Sequence, residues 1–156
     1  MKEQYRVSLK VAKRMKELGY PQDGCDAYWA KGRGLPSWEL VSNRDLDYRI
    51  DHLDDSGRIE YYVAPCVGRL GDDLPISTNE GNWFQHVKSY NGYNGICEVL
   101  SYTRWYEDKG SGQMLLKKDI EISFPVYERH VDENKKMSEA DARGMMWCEL
   151  KERRLV

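Results

Sequence analysis

The sequence predicts an α+β fold, a single domain in which an antiparallel β-sheet meander from the middle of the chain is covered by an N-terminal and a C-terminal helix. Three observations carry that expectation. Residues 137–154 have marked helix ends and an apolar stripe. Near the start, Val11, Met15 and Leu18 follow helical spacing. Between residues 83 and 124, bulky side chains alternate along segments separated by Gly- and Asn-containing turns. A chain of 156 residues suits one domain that can bury a core without crosslinks.

Taken in order, Ser8 is placed to cap a first helix running through Leu18, with Gly19 as a left-handed stop and Tyr20-Pro21 turning the chain away. Lys10, Lys13, Arg14 and Lys16 coat the rest of it. That coat is most simply a solvated face, with an acidic-partner surface as the second reading. Residues 27–30 and 38–41 read as a hairpin around the Gly/Pro segment 31–36. Gly32-x-Gly34 lacks the third glycine of a dinucleotide fingerprint and no Gly-Lys-Ser/Thr follows, so it reads as a turn. Residues 43–53 fit a helix through Leu46, Ile50 and Leu53 behind an Asn43 cap, and also an alternation through Tyr48, Ile50 and His52; the helix is the reading taken. The acids Asp45, Asp47, Asp51, Asp54 and Asp55 make no EF-hand. With Gly57 at the sixth loop position, His52 and Val63 fall where an aspartate and a bidentate glutamate are required. Residues 54–57 read as a turn instead.

Residues 59–63 read as a strand, Pro65 falls in the first turn of a short helix to about Gly71, and Leu74-Pro75 ends it. The sheet then runs through residues 83–90, 96–106 and 113–124. In the middle segment Cys97, Val99, Ser101, Thr103 and Trp105 alternate with Ile96, Leu100, Tyr102 and Tyr106. Both faces carry bulk, so this strand is expected to be central. Residues 107–112 form a hairpin loop, and Ile120, Ile122 and Phe124 alternate up to Pro125.

The last helix starts after Ser138, in a run free of proline and β-branched residues. Asp141 is placed to reach back to the Ser138 amide as a capping-box variant, with Met137 stapling the entry. Acids at the start (Glu139, Asp141) and bases at the end (Lys151, Arg153, Arg154) oppose the helix dipole. Ala142, Met146 and Leu150 form a stripe widened by Trp147 and Met145. Arg143 projects within the same arc; its plain reading is a salt-bridged or snorkelling cation, its sharper one an anion or partner contact. Gly144 lies near the opposite face and weakens the helix by ~1 kcal/mol relative to alanine, marking either a close backbone approach or nothing.

Composition excludes several classes. A formal charge of -2 and a pI near 6.0 argue against general affinity for nucleic-acid backbones, which comes from excess lysine and arginine. No apolar run approaches the ~20 residues of a membrane span and no apolar signal core opens the chain, so a cytoplasmic protein is expected, with no membrane partner. Cys25, Cys66, Cys97 and Cys148 are scattered without a CxxC pair, and His52, His86 and His130 are each isolated. Neither a disulfide, a metal site nor a cofactor is expected. No GxSxG elbow or flanking signature marks a nucleophile, so no catalytic residue is assigned.

Three segments, SLKVAKRMKELGYPQ (8–22), YVAPCVGRLGDDLP (62–75) and SEADARGMMWCELKE (138–152), occur in that order in a chain of this size. Together they resemble a group of small uncharacterised proteins encoded by phages and prophages. The shared features are a lysine-rich first helix ending in a Gly-aromatic-Pro step, an Ala-Pro helix start, and a closing helix beginning near Glu-Ala-Asp-Ala-Arg. The segments cover under a third of the chain. The sequence departs from the group at Cys66-Val67-Gly68, where Thr-Leu and a better helix former are expected, and at Gly144, where alanine is. The resemblance carries no activity and no catalytic residue.

One enrichment is left: eleven tyrosines and five tryptophans against two phenylalanines, an excess of rings with polar tips that suits binding surfaces as well as core edges. It is densest from Trp83 to Trp105, around the polar loop of residues 91–95. Tyr93, Trp83, Tyr90 and Trp105, with Arg143, are therefore the candidate ligand- or partner-binding residues. The expectation is a non-enzymatic phage or mobile-element accessory protein that binds a host protein or small ligand, with a counter-defence role fitting that origin and an oligomer compatible with it. The alternatives are a small hydrolase acting on a nucleotide, whose carboxylates or histidines converge only in three dimensions, and a structural or assembly protein.

Overall fold

The computed structural model describes residues 5–32, 35–53, 59–75, 84–92, 95–125 and 137–156. Its elements run α1 (Leu9–Glu17), β1 (Ala27–Gly32), β2 (Leu35–Ser42), α2 (Asn43–Leu53), β3 (Glu60–Val63), α3 (Val67–Asp73), β4 (Phe84–Gly92), β5 (Gly95–Glu107), β6 (Met114–Pro125) and α4 (Glu139–Glu152). This is the α+β architecture the sequence predicts, antiparallel throughout its described sheets and with a helix near each end. Where one meander was expected, the described strands form two three-stranded sheets, ordered β2-β1-β3 and β4-β5-β6. The β4-β5-β6 sheet is the meander expected over residues 83–124, and the first hairpin pairs with β3 to form the other sheet: Tyr28 faces Val63 on one side and Val41 on the other.

α4 joins the first and third helices to the second sheet. Ala140, Ala142, Gly144, Met146, Trp147, Cys148 and Leu150 are all buried, spreading around the helix as expected of one covered on several sides. Its neighbours are α1, α3, β5 and β6. Two sequence expectations are corrected here. Met145, placed in the buried stripe, is exposed at 39%, and Gly144, placed near the opposite face, is buried against α1. A Cβ at Gly144 would lie 2.7 Å from Val11 Cγ1 and 3.0 Å from Val7 Cγ1, so α1 approaches closer than any side chain allows.

The helix ends explain other differences. Ser138 Oγ accepts the Asp141 N–H at 3.0 Å, as a cap should. The Asp141 carboxylate, expected to turn back to the Ser138 amide, instead accepts the Ser8 N–H at 2.6 Å, because α1 starts alongside with an amide needing an acceptor. Both terminal helices end in Schellman geometry. Gly19 (φ +87°) follows α1 with Tyr20 N–H on Met15 O, and Arg154 (φ +59°) follows α4 with Leu155 N–H on Leu150 O. Ser42, not Asn43, caps α2: its Oγ accepts the Asp45 N–H at 3.1 Å. α3 starts at Val67, past Pro65, because Cys66 is held extended by its bridge to Arg6. Residues 54–57 lie outside the described residues.

In the second sheet β5 is central, as its two-sided bulk predicts. Asp119 is the extra residue between the pairs Tyr102–Ile120 and Thr103–Lys118, a β-bulge in β6. Asp108 ties the turn before β6, accepting the Ser111 N–H at 3.0 Å and its hydroxyl at 2.6 Å. Among the described residues no helix is long and apolar enough to cross a membrane.

Candidate functional site

The β2-β1-β3 sheet presents a row of large aromatics beside α1. Strand pairing sets Trp29 against Tyr62 and against Leu40, so the central strand places its tryptophan between the two edge strands. The Trp29 indole donates to Val7 O at 2.8 Å, which pins the chain entering α1 to the sheet. From the outer strands the Trp38 and Tyr62 rings meet across β1 at 5.3 Å between centroids, tilted by 48°. Tyr61 stands edge-on to Tyr28 at 6.0 Å. Trp29, Trp38, Tyr61 and Tyr62 are all half-buried, so each keeps ring surface in solvent.

Two lysines of α1 complete this face. Lys13 Nζ lies 4.8 Å from the Trp38 centroid and 5.5 Å from that of Tyr62. One turn on, Lys16 Nζ lies 4.8 Å from the Tyr62 centroid and 5.5 Å from that of Tyr61, and donates to Tyr61 O at 3.2 Å. Helical spacing of three puts both on one side of α1, the side turned to the sheet. The next cation, Arg14, points elsewhere, to Glu17 at 3.0 Å and to Glu152 of α4. Tyr62 donates its hydroxyl to Glu60, whose carboxylate is the main reason its phenol stays above the ordinary pKa. The face thus joins apolar ring area, fixed hydroxyl and indole groups, and two ammonium groups. Such a set suits recognition, since rings supply contact area at low entropic cost and cations give orientation.

A second polar cluster lies where α3 meets the chain before β1. Asp73 accepts the Tyr20 hydroxyl and the Arg69 guanidinium, the latter at 3.1 and 3.3 Å. Arg6, nearly buried, pairs with Asp26 and donates to Ala64 O at 3.0 Å. Buried Cys25 feels the charges of Arg69, Arg6, Asp26 and Asp73, yet burial dominates and pushes its thiol up. Burial likewise raises the Tyr20 phenol, with the Asp73 carboxylate adding to it. A nucleophilic cysteine needs the opposite shift, so this cluster reads as a satisfied structural network. Cys25, Cys66 and Cys148 are free thiols. Among the described residues no three His, Cys, Asp or Glu side chains are grouped to hold a metal ion.

Of the residues singled out from sequence, Trp83 and Tyr93 lie outside the described residues. Tyr90 pairs with Cys97 in β4, and Trp105 with Leu116 in β5, a register that sets these two toward opposite ends of the sheet. Arg143 is remote in role from both: it is ion-paired one turn back to Glu139, at 2.8 and 2.9 Å, and its Nη1 sits 3.3 Å from where a Gly71 Cβ would be. Its plain reading as a salt-bridged cation describes that geometry. The sequence reading passed over Trp38, Tyr61 and Tyr62, although the aromatic hairpin and the lysine coat of the first helix were both visible. Nothing linear joins them. No family model, no curated protein and no solved structure matches the chain.

Proposed function

We propose that this protein is a non-enzymatic binding protein and that its partner docks on the face formed by Trp38, Tyr62, Lys13 and Lys16. The observation that carries this reading is the convergence of two half-buried rings from edge strands and two lysines of α1 on one surface. A structural core would have closed over these rings with apolar side chains; here amphipathic cations lie on them and leave ring area wet. The resemblance to phage and prophage proteins supports a host protein as the partner, and a counter-defence role is the setting we propose for it.

Affinity capture from host lysate, run in parallel with wild type and Trp38→Ala, tests the proposal. A host protein held by wild type and lost by the variant, with the variant's thermal unfolding still cooperative, is expected. A partner retained equally by both would move the binding surface elsewhere.

A further inference from the structure

We infer that this face receives an extended acidic peptide segment, whose carboxylates bridge Lys13 and Lys16 while its apolar side chains lie on Trp38 and Tyr62. The inference rests on the binding function proposed above and adds the chemistry of the partner.

The two ammonium groups carry the argument. Both lie within 5.5 Å of the Tyr62 ring centre, so they stand within about 10 Å of each other, a Debye length at 0.1 M salt. Like charges held that close repel, and the acids at hand do not relieve them. Glu17 is bonded to Arg14 and Glu60 accepts the Tyr62 hydroxyl. Among the described residues no carboxylate forms an ion pair with Lys13 or Lys16. Each ammonium has three donors, and the one such bond seen is Lys16 to Tyr61 O. Open donors, mutual repulsion and flanking ring area together call for an anionic ligand with an apolar body.

Spacing admits an extended segment. Side chains at i and i+2 of such a segment lie about 7 Å apart on one side, within the limit of about 10 Å that the shared Tyr62 ring sets on the two ammonium groups. Single-stranded nucleic acid fits less well. The chain's charge of -2 gives no wider basic track for a phosphate backbone.

Selection from a random dodecapeptide display library on the full-length protein, counter-selected on Lys13→Glu/Lys16→Glu, tests this. Enriched peptides should carry acids in i, i+2 pairs, and their affinity should fall by at least about tenfold in the double variant while surviving Lys109→Glu, a single charge reversal at an exposed turn. Circular dichroism verifies folding, and Lys13→Gln/Lys16→Gln supplies a milder variant that should show the same direction. A neutral or basic consensus, no enrichment, or acidic peptides indifferent to the lysines would overturn the inference, as would lysine-dependent binding of oligothymidylate tighter than that of any peptide. A captured host partner that needs Trp38 but docks through a non-acidic segment would also overturn it, leaving the binding function itself in place.

Discussion

Two aspartates show how burial and pairing give the same side chain opposite pH signatures. Arg6 holds the Asp26 carboxyl below its ordinary value of 3.8, the hydrogen bond outweighing the cost of burial. Its stabilising contribution is therefore complete above that value and is lost as pH falls through the lower folded one. Asp141 behaves in reverse, because burial outweighs the Ser8 hydrogen bonds and raises its pKa. Its ionised form costs stability at neutral pH, and the cost is relieved as pH falls through the folded value toward 3.8. Urea unfolding across acidic pH should show wild type losing ground to Asp26→Asn and gaining on Asp141→Asn as the solution is acidified. Parallel trends for the two variants would contradict the assignment. Cysteines separate similarly. Burial pushes the Cys148 thiol up to about 12, which leaves roughly one thiolate in ten thousand at pH 8, whereas Cys66 is only half-buried. Native-state alkylation followed by peptide mass spectrometry should label Cys66 well before Cys148.

Among the elements, the contact of α1 with α4 is the one most dependent on a single position. Alanine at 144 would restore about 1 kcal/mol of helix propensity, but its methyl would press into the stiff, β-branched Val11 and Val7. Overpacking of this kind costs about 1–3 kcal/mol, so Gly144→Ala should destabilise on balance. Val11→Ala in the same chain should recover part of that loss, giving a favourable coupling in a double-mutant cycle. Additive effects would mean that α1 does not approach as described. This also shows what sequence can and cannot say about an element. The Ser138 cap, the Gly19 stop and the alternation of β5 were legible because each depends on neighbours in the chain. The true role of the Asp141 carboxylate and the burial of Gly144 were not, because α1 lies more than a hundred residues away in sequence and decides both.

At the scale of the whole molecule, the α+β class followed from helical spacing at the ends and alternation in the middle, and it is the class observed. The division of the strands into two sheets was hidden, since β3 reaches β1 only across α2. The proposed binding face was hidden for the same reason. Its lysines come from α1, its tryptophan from β2 and its tyrosine from β3, so linear density of aromatics pointed to residues 83–105 and away from it. Salt should weaken partner binding at this face, because Lys16 is exposed and Lys13 is only half-buried, so solvent ions screen both charges. Isothermal titration of the captured partner should show affinity falling as ionic strength rises, with a flatter dependence in Lys13→Gln/Lys16→Gln. The most direct measurement places a photocrosslinking benzoylphenylalanine at position 38, and in a control at exposed position 114, in the full-length protein inside host cells. An adduct to one host protein from position 38 alone is the predicted result. Adducts absent from position 38, or equal from both positions, would contradict the central claim that the Trp38–Tyr62–Lys13–Lys16 face is where this protein binds.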